Sequence, residues 1–216
     1  MIYIIQKNKP IHIFCGEFVK RYKNRCNIKY NGQKYNLTEY FTVPNLSNKE
    51  KGEIKITLEG IEYITDMSNM FRRCKNLKKV IATGTDMIKV KNMKSTFEWC
   101  ENLEEVSNTS KWNLKNVETF KGLFYKCTKL KKVPGIGKWN PIKLKNCEEM
   151  FLGCESKLDP STITEVYKWK NVPEEIKSGC KKGFGVKNIL AYALGDNLGG
   201  TIEYIGNLIN PFKNKK

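Results

Sequence analysis

The sequence predicts an α/β repeat: a solenoid of four helix–strand units, flanked by a β-rich N-terminal cap and a helical C-terminal cap. Three observations carry that expectation. A phenylalanine followed three positions later by a cysteine recurs four times, as Phe71/Cys74, Phe97/Cys100, Phe124/Cys127 and Phe151/Cys154. The steps between copies are 26, 27 and 27 residues, and a fixed period of about 20–50 residues marks small units that stack on copies of themselves. Around each pair, further columns are apolar in nearly every copy.

Ahead of Phe stand Ile64, Val90, Val117 and Leu144, then Met67, Met93, Phe120 and Cys147, then Met70, Thr96, Leu123 and Met150. After Cys come Leu77, Leu103 and Leu130, then Val80, Val106 and Val133. From the first column to Cys the spacing i, i+3, i+6, i+7, i+10 predicts an apolar stripe on a helix of about three turns. Asp66 stands where an N-cap is expected. The Leu closes the following turn, and the Val reads as the inward residue of a short strand whose two neighbours face out.

The flanking regions complete a chain of three parts: a cap over 1–60, the repeats over 61–158, and a cap or tail over 159–216. Strands are expected at 2–6 and 11–14, and a hairpin at 26–37 around Asn31-Gly32. Ile, Lys, Ile, Thr, Leu alternate over 54–58 as a strand with one buried face, after a polar loop over 45–52. Lys111-Trp112-Asn113 and Lys138-Trp139-Asn140 lie 27 apart, so each Trp is expected to pack between neighbouring loops. Pro173-Glu-Glu-Ile-Lys reads as a helix start. Glycines at 179–185 suggest a joint, and a helical apolar stripe runs from Val186 to Ile209 before a lysine-rich end.

The chain of 216 residues carries 39 basic and 22 acidic residues, a net charge of +17. This basic balance suits an acidic protein, an anionic membrane surface or nucleic acid as partner; a codon bias toward Lys, Asn and Ile would produce it too. Nucleic acid is not expected, because the aromatic–basic interleaving of single-strand binders is missing. No leader pattern and no apolar run of about 18 residues is visible, so a cytoplasmic protein is expected. Of eight cysteines, five fall in apolar columns, and the reading is reduced, buried thiols. No zinc-type spacing occurs, and neither a metal nor a cofactor is expected.

The unit Ile64-Thr-Asp-Met-Ser-Asn-Met-Phe-x-x-Cys-x-x-Leu-x-x-Val80 closely resembles the BspA-like leucine-rich repeat of bacterial surface proteins and protist proteomes. Ser110-Lys-Trp-Asn113 and Gly137-Lys-Trp-Asn140 resemble the segment preceding that motif. The resemblance covers roughly 61–158. It implies a right-handed, leucine-rich-repeat-like solenoid with a concave sheet, and a role in protein binding or adhesion.

Candidate binding residues follow from the strand columns. Lys79, Glu105 and Lys132 precede the Val column, and Ile81, Ser107 and Pro134 follow it. If the strands stack in register, these six share the concave face. Lys79, Glu105 and Lys132 then alternate in sign, which serves either as a self-compensated solvated face or as a docking surface for a protein of complementary charge. Segment 186–210 is either a pair of capping helices or an amphipathic element that inserts into a membrane surface or binds another chain, and with the lysine-rich end the stretch 186–216 suits an anionic membrane. His12 and Cys15 are three apart on a strand and face opposite sides, so no Cys/His nucleophile is expected. The function read here is a non-catalytic protein-interaction scaffold, with a membrane-peripheral protein as the alternative.

Overall fold

The computed structural model describes residues 1–6, 9–44, 51–82, 87–154 and 156–180. The chain divides into two compact units, Met1–Gly183 and Phe184–Lys216. The stripe and membrane reading at 186–216 and most of the glycine joint lie outside the described residues.

Three small sheets hold the strands. Strand β1 (Ile2–Gln6) lies between β6 (Lys51–Lys55) and β8 (Leu77–Ile81), antiparallel to both, and β8 pairs in parallel with β9 (Glu105–Ser107). Strand β2 (Ile11–His12) pairs with β5 (Tyr40–Phe41). Strand β3 (Asn27–Tyr30) lies between β4 (Gln33–Asn36) and β7 (Thr57–Glu59). The expected strand at 54–58 is thus split at buried Ile56, with its two halves in different sheets. Among the described residues three short helices occur: α1 (Gly16–Tyr22), α2 (Pro160–Val166) and α3 (Glu174–Cys180).

Among the described residues the four units contain no α-helix, only single 3-10 turns at Thr109–Lys111 and Ile136–Lys138 in the loops between them, and only the first two contribute a strand pair. The expected leucine-rich-repeat-like solenoid of four helix–strand units is therefore corrected: the chain folds as small antiparallel and mixed sheets joined to layered turns. The physical reason lies in the backbone. Two positions per unit have left-handed φ: Asn69 and Arg73, Ser95 and Trp99, Gly122 and Lys126, Glu149 and Gly153, with φ between 55° and 87°. A left-handed residue every fourth position cannot belong to a right-handed helix.

Alternate N–H groups bond within the unit and across to the next. Met70 N–H reaches Met67 O, and Cys74 N–H reaches Phe71 O. Between them, the N–H groups of Met67, Asn69, Phe71 and Arg73 donate to the carbonyls of Asn92, Lys94, Thr96 and Glu98 at 2.8–3.0 Å. The second and third units repeat this row into the third and fourth. Asp66 does not cap a helix. Its Oδ1 accepts from Ser68 N–H, and Asn92, Thr119 and Asn146 hold the N–H two residues on in the same way. These are the local turns that short polar side chains favour over helix.

The seven columns are buried and form the core of the repeat units. The rings of Phe71, Phe97, Phe124 and Phe151 stack 5.3–5.4 Å apart within 11° of parallel, and Phe14 from the cap extends the column at 5.2 Å. Each such pair adds roughly 0.5–1.5 kcal/mol beyond its burial. The thiols of Cys100, Cys127 and Cys154 donate to the carbonyls of Phe71, Phe97 and Phe124. Trp112, Trp139 and Trp169 form a second stack at 5.5 and 6.1 Å. The expectation that all cysteines are reduced needs correction: Cys147 is bonded to Cys180, which fastens α3 to the fourth unit.

Candidate functional site

The outward face of the sheet is where three of the sequence-derived residues meet. Lys79 is opposite Glu105 in the β8–β9 register, and Glu105 bridges in parallel to Lys132. Lys79 Nζ lies 3.1 Å from Glu105 Oε2, with the side chains 35% and 24% exposed, so both ends of the pair remain open to a partner. On the other side of β8, Lys79 is opposite Ile2, which is opposite Lys55. One row therefore crosses the sheet as Lys55, Ile2, Lys79, Glu105 and Lys132. Neighbouring strands lie about 4.8 Å apart, so its end lysines stand about 19 Å apart.

A second charged set runs beside it. Lys78 Nζ pairs with Glu53, and Lys131 Nζ with Glu104 at 2.8 Å. The hydrogen bond from Lys131 holds the Glu104 carboxyl below the usual carboxylate range, and the bond to Glu53 raises the Lys78 ammonium. Both shifts keep the groups ionised near neutrality. That suits charge recognition rather than proton transfer, which needs a pKa close to the working pH.

The remaining three candidates are placed differently. Ser107 Oγ donates to Val80 O at 3.4 Å, a bond within the sheet. Pro134 O accepts from Thr109 Oγ1. Having no N–H, Pro134 cannot extend the pairing past Lys132. Ile81 lines an apolar cavity next to the sheet.

The sequence missed Ile2 and Lys55 as members of the row, because nothing in the period announces that a cap strand inserts antiparallel beside β8. The alternation in β6, with Ile54 buried and Lys55 exposed, was the available signal. His12 stacks on Tyr40 at 4.9 Å, with Nδ1 3.2 Å from Arg73 O and Nε2 3.5 Å from Glu39 Oε1. Its ring is thereby held between the cap and the first unit. Among the described residues no cluster of three metal-ligating side chains occurs, and no helix is long and apolar enough to cross a membrane.

No curated protein and no solved structure matches the chain. A family match exists over residues 41–169, from β5 within the N-terminal cap to the last ring of the tryptophan stack: more than half of the chain is covered, and the protein belongs to the family described as Mycoplasma protein of unknown function, DUF285.

Proposed function

We propose that this protein is a non-catalytic interaction module whose sheet face binds an acidic protein surface. The observation that carries the reading is the row Lys55, Ile2, Lys79, Glu105, Lys132. Its internal members pair with each other, while Lys55 and Lys132 at its ends have no carboxylate partner among the described residues. A partner with carboxylates about 19 Å apart would engage both ends without breaking the central pair. The likeness of the unit 64–80 to BspA-like repeats supports a protein-binding role, and the net charge of +17 would speed encounter with an acidic partner.

The test is affinity capture with the full chain, quantified by mass spectrometry and followed by titration of the captured protein. Lys55→Glu with Lys132→Glu is expected to lose the partner, while melting as the parent does. Exchanging the central pair, Lys79→Glu with Glu105→Lys, is expected to keep it. A captured set that is the same for both variants and the parent would overturn the reading.

A further inference from the structure

One tryptophan stands outside the second ring stack. Trp112, Trp139 and Trp169 are buried in that stack, whereas Trp99 is half-buried on the surface of the layered turns. Its ring meets Tyr125 edge to face at 6.3 Å, and no ring among the described residues lies parallel to it. Its φ of 60° is one that a bulky side chain rarely adopts, and the fourth unit holds Gly153 in the same column. The indole is thus held out at a backbone cost, with no core to fill.

The neighbouring layers place a cation on each side of it. Arg73, Trp99 and Lys126 occupy one column, 26 and 27 residues apart. Arg73 N–H donates to Glu98 O and Trp99 N–H to Tyr125 O, both at 2.8 Å, which sets the three layers in register. Lys126 Nζ lies 5.9 Å from the ring centres of both Trp99 and Tyr125. The nearby acids Glu98 and Glu101 are engaged by Arg72 and Lys75 at 3.1 and 2.8 Å. Arg73 and Lys126 have no carboxylate partner among the described residues. Beyond Arg73, His12 holds the Arg73 carbonyl and stacks on Tyr40, which is 54% exposed; Glu39 stands 3.5 Å from the other ring nitrogen. The order across the layers is Tyr40 with His12, Arg73, Trp99 with Tyr125, then Lys126. Rings and cations alternate there although they do not along the chain, because layering brings together residues 26 to 61 positions apart.

We infer that this column is a binding site for single-stranded nucleic acid, with bases stacked on the rings and phosphates on Arg73 and Lys126. Every base offers a flat π face, and ring beside cation matches base beside phosphate along a strand. An acidic protein would use the cations and leave the rings idle. The net charge of +17 draws the polyanion in. The column lies on the turns and not on the sheet face, so it is a second surface with a different partner.

The probe is a fluorescein-labelled oligothymidylate of about twelve nucleotides, within the site size of such binders, titrated into the full chain and followed by anisotropy. Saturable binding is expected, tighter than that of an abasic strand of equal length and charge, and tighter than that of poly-glutamate. Trp99→Leu should weaken it roughly 5- to 100-fold, the worth of one base on one ring, while Trp99→Phe should keep most of it. Tyr40→Leu is the second ring variant should Trp99→Leu not fold. Arg73→Gln with Lys126→Gln should make the fall of log affinity with log salt shallower by roughly 1.4, about 0.7 for each phosphate contact. No saturable binding, equal binding of the abasic strand or of poly-glutamate, an unchanged salt slope in the double variant, or parental affinity in a folded ring variant would each overturn the assignment.

Discussion

The Arg21 guanidinium donates to the carbonyl of Ser68. Each unit sends a row of N–H groups toward the following unit, so its carbonyls face the preceding one. The first unit has no preceding copy, and its carbonyls meet the N-terminal cap. Arg21 takes Ser68 O, and the N–H of Cys15, just ahead of α1, takes Met70 O at 3.0 Å. The cap thus supplies the donors that a further unit would have supplied, which buried carbonyls require.

Replacing Arg21 by Met should therefore cost stability even though the side chain is exposed. The expected loss is about 1–2 kcal/mol, the cost of leaving one such acceptor without its donor. Urea unfolding of the variant beside Arg21→Lys measures it. Lysine should restore part of the loss.

The left-handed positions give a prediction whose sign separates layered turns from a helix. Gly122 has φ +60°, and an added Cβ would lie 3.4 Å from Ser95 Oγ, so space is adequate and backbone strain decides. Gly122→Ala should destabilise by roughly 1 kcal/mol. In a helix the same change would stabilise by about that amount. Glu149, with φ 58° in the same column, offers the converse. Glu149→Gly should stabilise by about 0.5 kcal/mol, strain relief less the entropy of glycine.

The Cys147–Cys180 bond closes a span of 33 residues that contains α2 and α3. Reduction should lower stability by on the order of 2–4 kcal/mol. Thermal melts with and without dithiothreitol would show it, and Cys147→Ser with Cys180→Ser should melt alike in both conditions.

Burial, reinforced by neighbouring cysteines, pushes the thiols of Cys74, Cys100 and Cys127 well above their usual value of 9.0. The folded state keeps these protons while the unfolded chain releases them near that value. Stability is therefore full below pH 9 and falls as pH rises through and above it, by about 1.4 kcal/mol per pH unit for each thiol. Cys100→Ala should make that alkaline slope shallower by one proton. In native protein at pH 8 the three thiols should resist iodoacetamide, because the thiolate is the reactive form.

Much of the core was legible in the period. All seven columns of the first unit, from Ile64 to Val80, are buried. The helix inferred from them was not there. The intervals in that unit are 3, 3, 1, 3, 3, 3, whereas a helical stripe mixes steps of three and four. Steady threes fit consecutive turns. The short polar residues Asp66, Ser68 and Asn69 pointed the same way. Trp169 escaped notice because α2 places it 30 residues after Trp139, off the period.

Of the candidate site, Lys79, Glu105 and Lys132 could be aligned from sequence because equal periods put equal columns in register. Ile2, Lys55 and the Cys147–Cys180 bond could not. Each depends on a contact between segments with no common period, and such contacts appear only when the chain closes on itself. The sequence by itself determined which side chains of the repeat columns are buried and in what order they stack, since apolar spacing is a local property of the chain. Tertiary structure alone decided that alternate N–H groups leave their own turn for the next unit. A backbone donor in an isolated segment has only local acceptors, and the left-handed turns become favourable once a neighbouring unit offers its carbonyls.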